Sequence, residues 1–135
     1  MTSSAFSGVG TTFSRLDVAI AEISSISGPN MTRNTIDVTS LDSTGGYREF
    51  IAGFRDAGEV TLNMNFTIAG YLGMLDDFES EVLQTYQITL DESGINESEF
   101  EFTGLVTSLG MSVPMDDKVT SDVTIKISST ITITT

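Results

Sequence analysis

The chain has 135 residues, no cysteine and no histidine, and a net charge of −13 from 19 acidic and 6 basic residues. That length suits one domain whose core is large enough to fold without staples. The missing thiols and imidazoles exclude disulfides, thiolate chemistry, the usual general base and the commonest metal ligand, and so acidic a chain lacks the basic patch that holds phosphate backbones.

The first residues, MTSSAFSGVGTTF, have neither the basic nor the apolar region of a signal peptide. No later stretch reaches the apolar length of a membrane span, so synthesis in the cytoplasm and no membrane partner are expected. LDVAIAEISSI (16–26) starts as a strand with Leu16, Val18 and Ile20 on one face and Asp17 and Ala19 on the other. The alternation slips between Glu22 and Ile23, which predicts a bulge. Residues 27–58 carry Gly-Pro, Gly-Gly and Ala-Gly punctuation and predict a long loop. Loops of that length are usually functional or disordered. This one holds Ile36, Leu41, Tyr47, Phe50, Ile51 and Phe54, too many apolar residues for disorder, so it is expected to order against another surface. It also carries Arg33, Arg48 and Arg55, three of the six bases.

EVTLNMNFTI (59–68) alternates cleanly, with Val60, Leu62, Met64, Phe66 and Ile68 on one face and Thr61, Asn63, Asn65 and Thr67 on the other. GYLGMLDDFESEVL (70–83) changes to helical period, with Tyr71, Leu75, Phe78 and Val82 on one stripe, and predicts the single helix. TYQITL (85–90) reads as a short strand and DESGINES (91–98) as a polar turn. EFEFTGLVTSLGMSV (99–113) returns to period two, with Phe100 and Phe102 opposite Glu99 and Glu101. After PMDDK, the run VTSDVTIKISSTITITT (119–135) keeps apolar residues at odd positions, diluted only by Ser121 and Ser129. If unbroken, residues 119–133 would span roughly 50 Å at about 3.3 Å per residue, against a domain diameter of roughly 37 Å.

These elements define a mainly β fold over a single domain, 1–135, a sandwich or partial barrel with one helix able to plug one face or end, and a long loop. The last run has one lysine and no proline to keep its edges from pairing. Barrel closure removes strand edges, but five or so strands cannot close a wide barrel alone. Several copies can, with each polar face turned to a common lumen. The candidate lumen residues are Asp17 and Ala19; Thr61, Asn63, Asn65 and Thr67; Glu99, Glu101 and Thr103; and Thr120, Asp122, Thr124 and Lys126. An acidic side chain on a neighbouring strand, such as Glu99 or Glu101, is expected to neutralise Lys126.

Nothing in the sequence supports catalysis. GVGTTF (8–13) has Phe13 where a dinucleotide fingerprint needs its third glycine. DESGINESE (91–99) fails the calcium-loop spacing, and the serines have no histidine to activate them. The chain is read as a non-enzyme with no cofactor and no metal.

In ISSISGPNMTRNTIDVTSLDS (23–43), GYREFIAGFRDAGEVTLNMNF (46–66) and FEFTGLVTSLG (100–110), the chain resembles the major tail tube proteins of long-tailed phages. Gly28, Pro29, Asp37, Val38, Thr39, Arg48, Glu49, Gly53, Asp56, Gly58 and Glu59 match that family's pattern, with Ala57 interrupting its last motif, and Phe102, Gly104, Val106 and Thr107 match a later element. The resemblance implies a two-sheet β-sandwich with one helix, a structural virion protein made in the host cytoplasm and forming rings of six that stack into a tube for DNA ejection. It implies DNA that passes without specific binding, and tape-measure, baseplate or tail-tip and tail-terminator proteins as partners. It also implies related folds in contractile tails, tailocins and gene transfer agents, and a chain without the C-terminal Ig-like domain of some relatives. The ring-to-ring joint is expected in the long loop, with Phe50, Ile51 and Phe54 (and Tyr47) as apolar anchors and Arg48 and Arg55 setting register against acidic partners. The alternative is a solitary β-sandwich binding or adhesin module. That reading favours exposed aromatics, and the chain has no tryptophan and three tyrosines.

Overall fold

The computed structural model describes residues 8–20, 22–92 and 96–135. Most of the chain's beginning (1–7) and the centre of the predicted 91–98 turn (93–95) lie outside the described residues. The elements are β1 (Thr12–Arg15), β2 (Val18–Ile20), β3 (Ile23–Ser27), β4 (Thr32–Asp37), β5 (Phe50–Asp56), β6 (Glu59–Asn65), α1 (Ile68–Glu79), β7 (Gln84–Glu92), β8 (Asn96–Ser112), β9 (Thr120–Ile127) and β10 (Thr132–Thr134). Among the described residues the fold is mainly β, with one α-helix and two sheets.

The larger sheet runs β2-β1-β7-β8-β9-β6-β3, with β10 added to β8. Its long member, β8, pairs with β7 from Asn96 to Gly104 and with β9 from Gly104 to Ser112. The sheet therefore curls about β8, and its two halves enclose one core. Phe13, Tyr86, Ile88 and Phe102 come from one half, and Val60, Leu62, Met64, Val123, Ile125 and Ile127 from the other. Full burial of a side chain such as Leu62 or Ile125 contributes about 1.5–3 kcal/mol, so this cluster dominates stability. Among the described residues the sheet does not close into a barrel within one chain.

Four sequence expectations are corrected. Residues 27–58 are not a plain loop: β4 and β5 form a separate two-stranded sheet, an arm carried outside the core. Turn punctuation masked short strands that bury nothing in their own subunit. The last run is not one strand. It breaks at residues 128–131, where the Ser129 hydroxyl takes the Thr103 backbone N–H that a strand carbonyl would otherwise accept. Asp17 leaves the strand face because it and Leu16, with φ of 65° and 53°, form the two-residue turn between β1 and β2. Thr67 leaves the face of β6 because its hydroxyl caps α1, accepting from Gly70 N at 3.2 Å.

The helix also differs from its predicted 70–83 span. It starts at Ile68 behind the Thr67 cap and stops at Glu79, where the Ser80 hydroxyl accepts from Val82 N instead of letting the turn continue. Its buried residues are Met74 and Asp77, while Phe78 and Val82 are exposed. The cause is a polar clip. Arg15 Nε and Nη2 donate to Asp77 at 2.6 and 2.7 Å, and Tyr86 Oη donates to the same carboxylate at 2.7 Å. Asp77 is 1% exposed at its side chain and Arg15 29%. Burial, then Asp77, pushes the Tyr86 phenol far above its ordinary value, and the Asp77 hydrogen bond raises Arg15. Phe13 stacks on Tyr86 at 5.6 Å and ties the clip to the core.

Arg15→Met should therefore destabilise the monomer by about 3 kcal/mol, because it strands a buried carboxylate. Tyr86→Phe should cost about 1–2 kcal/mol. Urea unfolding measures both, and the ranking of the two variants is the decisive reading.

Candidate functional site

Two surfaces stand apart from the core: the outer face of the sheet and the arm. The β6/β9 ladder sets the first. Its register runs from Glu59 opposite Lys126 to Asn65 opposite Thr120 without a bulge. Val60, Leu62 and Met64 thus meet Ile125, Val123 and Ser121 on the sealed side, and Thr61 and Asn63 meet Thr124 and Asp122 on the open side. Polar contacts knit the open side across strands. Asn63 Nδ2 donates to Asp122 Oδ1 at 2.7 Å, and Ser24 Oγ of β3 donates to Asn63 Oδ1 at 2.8 Å. A bulge in β8 between Val106 and Ser108 restores the alternation, so Ser108 joins Thr124 on this side.

The predicted residues divide accordingly. Thr61, Asn63, Asp122, Thr124 and Lys126 share one continuous face. Glu99, Glu101 and Thr103 lie on the same face of the sheet but on the half of β8 bonded to β7 and β10. There Glu101 accepts from Gln87 Nε2 at 3.3 Å. Asn65 ends the β6 row with its Oδ1 buried and without a hydrogen-bond partner. Lys126 is neutralised not by Glu99 or Glu101 but by Asp56 at 3.0 Å. The cause is register: Lys126 stands opposite Glu59 at the root of the arm, and Glu101 lies four residues along β8 from its other neighbour, Leu105.

The arm begins and ends on glycines held close to backbone. Gly28 has φ of 98° and Gly58 has φ of 83°. A Cβ at Gly28 would meet the Glu59 carbonyl, and one at Gly58 the Asn30 carbonyl, so any side chain would pry the root open. Beyond the root, Arg33 pairs with Arg55, Ile36 with Ile51 and Asp37 with Phe50 across the hairpin. Phe54 is 89% exposed, and Leu41, Tyr47, Phe50 and Ile51 are exposed as well. Arg48, expected to reach an acid on another subunit, is held within its own arm by Asp37 at 3.1 Å. The sequence did not reveal the Asp56/Lys126 tie, since only the fold brings β5 beside the end of β9.

Among the described residues, no group of acids could hold a metal, and no helix is long and apolar enough to cross a membrane. The arrangement offers two surfaces for packing, the open sheet face and the arm.

The chain thus combines a curled sheet with one polar face, one helix and a projecting hairpin. The sequence matches the lambda phage tail tube protein family over residues 6–134, and the chain belongs to that family, a structural component of the virion tail. Solved structures share the fold. A chain of the native gene transfer agent virion has 20% identity and a TM-score of 0.77, with 97% of this chain and 100% of that chain covered. A chain of the tail of an empty gene transfer agent particle, refined with C6 symmetry, has 19% identity and a TM-score of 0.75, again with 97% and 100% covered. A chain from the sheath/tube terminator structure of an extracellular contractile injection system has 14% identity and a TM-score of 0.79, with both chains fully covered. No curated protein matches the sequence.

The arm root should be sensitive to acid. The Gly58 N–H and then Lys126 hold the Asp56 carboxyl below its ordinary 3.8, and hydrogen bonds from Thr39, then Arg48, do the same for Asp37. A lowered folded pKa means the stabilisation is complete above 3.8 and lost as pH falls through the folded value. Hydrogen exchange should show Gly58 and Thr39 losing protection in that window before the β6/β9 core does. Asp56→Asn should remove the pH dependence at Gly58.

Proposed function

We propose that this chain forms rings of six that stack into a hollow tube, with the open face of β6, β9, β3 and β8 lining the lumen and the arm joining one ring to the next. The observation that carries this reading is the pairing of a sealed sheet face with a bare polar one in a tail tube chain whose sheet, among the described residues, keeps free edges at β2 and β3. Edge strands seek partners, and neighbouring copies in a ring supply them. The C6 symmetry of the gene transfer agent tail supports six copies per ring. Similar chains occur in terminator and baseplate assemblies, which supports tail-terminator and baseplate or tail-tip proteins as partners; a tape-measure protein is the remaining partner of this proposal.

The lumen chemistry suits a conduit. Each fixed cation facing DNA adds a salt-sensitive phosphate contact that passage must break. The row Thr61, Asn63, Asp122 and Thr124 contains none, and Lys126 is capped by Asp56. Glu99 and Glu101 extend the same face, and Asp17, at its turn, adds a further acid near Gln87. Ring stacking must overcome a charge of −13 per subunit. Burying Phe54 contributes roughly 1.5–3 kcal/mol, more than a screened surface ion pair at about 0–1 kcal/mol, so Phe50, Ile51 and Phe54 supply most of the joint.

Two experiments test the halves of this reading. Cysteines at Asn63 and Thr124 should react with a bulky thiol reagent in monomers and be shielded in intact tubes, and equal reactivity in both states contradicts the lumen assignment. Phe54→Ala, at an exposed position, should leave the melting temperature of the monomer within about 1 °C while preventing tube growth. Normal tubes from that variant would remove the arm from the joint.

A further inference from the structure

Three of the six basic residues, Arg33, Arg55 and Lys126, line one groove of about 910 Å3 between the arm root and residues 127–131. Lys126 has Asp56. Arg33 and Arg55 have no acidic partner among the described residues, although they are direct cross-strand neighbours, a placement in which like charges repel. A chain with 19 acids thus sets its two unpaired arginines side by side. Exposed Met31 and Phe54 flank them in the same groove. The site asks for an occupant that is both anionic and apolar.

The chain carries that complement at the other end of the same ladder. The connection between β8 and β9 exposes Val113 and Met115, the latter 97% exposed, beside exposed Asp116 and Asp117. The arm returns to the sheet at Gly58, just before Glu59, whereas the connection ends beside Thr120, the partner of Asn65. The length of β6, about 20 Å, separates the two. Head-to-tail stacking places one end of a subunit against the opposite end of the next. A second acidic and apolar stretch, residues 79–82, does not qualify. It leads into Gln84, which pairs with Gly104 beside Ile127, at the arm's own end of the ladder.

We infer that the β8–β9 tip of one copy seats in the arginine groove of a copy in the adjoining ring. Met115 packs on Phe54 and Met31, and Asp116 and Asp117 accept hydrogen bonds from Arg33 and Arg55. Guanidinium forks suit this task because they bind carboxylates in a fixed geometry. The groove brings three cations against the Asp56 carboxylate, and Lys118 leaves the tip one net negative charge. The inference rests on the reading of the arm as the ring joint and names the surface that the joint receives.

The test is a charge exchange, read as the protein concentration at which tubes appear by negative-stain microscopy. Arg33→Glu with Arg55→Glu, and separately Asp116→Lys with Asp117→Lys, should each raise that concentration at least about tenfold, and all four together should restore it to within about threefold. Glu79→Lys with Glu81→Lys should not share in the rescue. Because the chain has no cysteine, mixed Met115→Cys and Phe54→Cys subunits should form an interchain disulfide when assembled and oxidised. If the arginine variants and Phe54→Ala block tubes while the aspartate variants do not, the arm remains the joint and this partner is wrong. If the arginine variants grow tubes normally, this docking is wrong; if Phe54→Ala does so as well, the arm reading itself fails. Normal tubes with lost binding to a short DNA duplex in the arginine variants would assign the groove to nucleic acid instead.

Discussion

The rest of the molecule depends on the register of β6 against β9. With Glu59 opposite Lys126 and every later pair in step, two strands of alternating sequence become one apolar face and one polar face. A slip of one residue would exchange them, putting Asn63 and Asp122 in the core and Leu62 and Val123 in water. The sealed side fixes the register through packing, and the Asn63/Asp122 hydrogen bond fixes it from the open side. A continuous polar surface follows from this pairing, not from any single residue.

The same ladder gives the molecule two ends. At one, paired glycines launch an arm whose apolar residues find no core of their own; at the other, a hairpin tip projects methionine and carboxylates. Two-stranded hairpins alone are marginally stable. The Asp37/Arg48 pair and the Asp56/Lys126 tie hold this one in place, and neither substitutes for buried area. An arm of this kind is ordered enough to present a surface, and its large apolar side chains are left exposed. The Arg15/Asp77/Tyr86 clip does the opposite work, locking α1 to the core.

What the sequence revealed followed the physics of periodicity. The strands at 59–65 and 120–127 were legible because one face is buried and the other is bare. The helix was legible by its change of period, but its buried stripe was not. The burial of Asp77 depends on Arg15, 62 residues away, and an acid at a helical position reads as solvent-facing when its partner is unseen. Residues 27–58 concealed two strands because neither buries a face within the subunit, so no alternation marks them. Thr67 and Asp17 fell on the right parity but were taken by local chemistry, a helix cap and a tight turn. Lys126 was placed on the correct face with the wrong partner, since only the folded arm root brings Asp56 to it.

The central claim is that the β6/β9 polar row faces the channel of a tube built from copies of this chain. A helical cryo-EM reconstruction of assembled tubes tests it directly. The predicted result is a channel wall on which Thr61, Asn63, Asp122 and Thr124 of each subunit point inward, with α1 away from the axis and the arm crossing to the next ring. A reconstruction with that row on the outer surface, or with α1 lining the channel, would contradict the account.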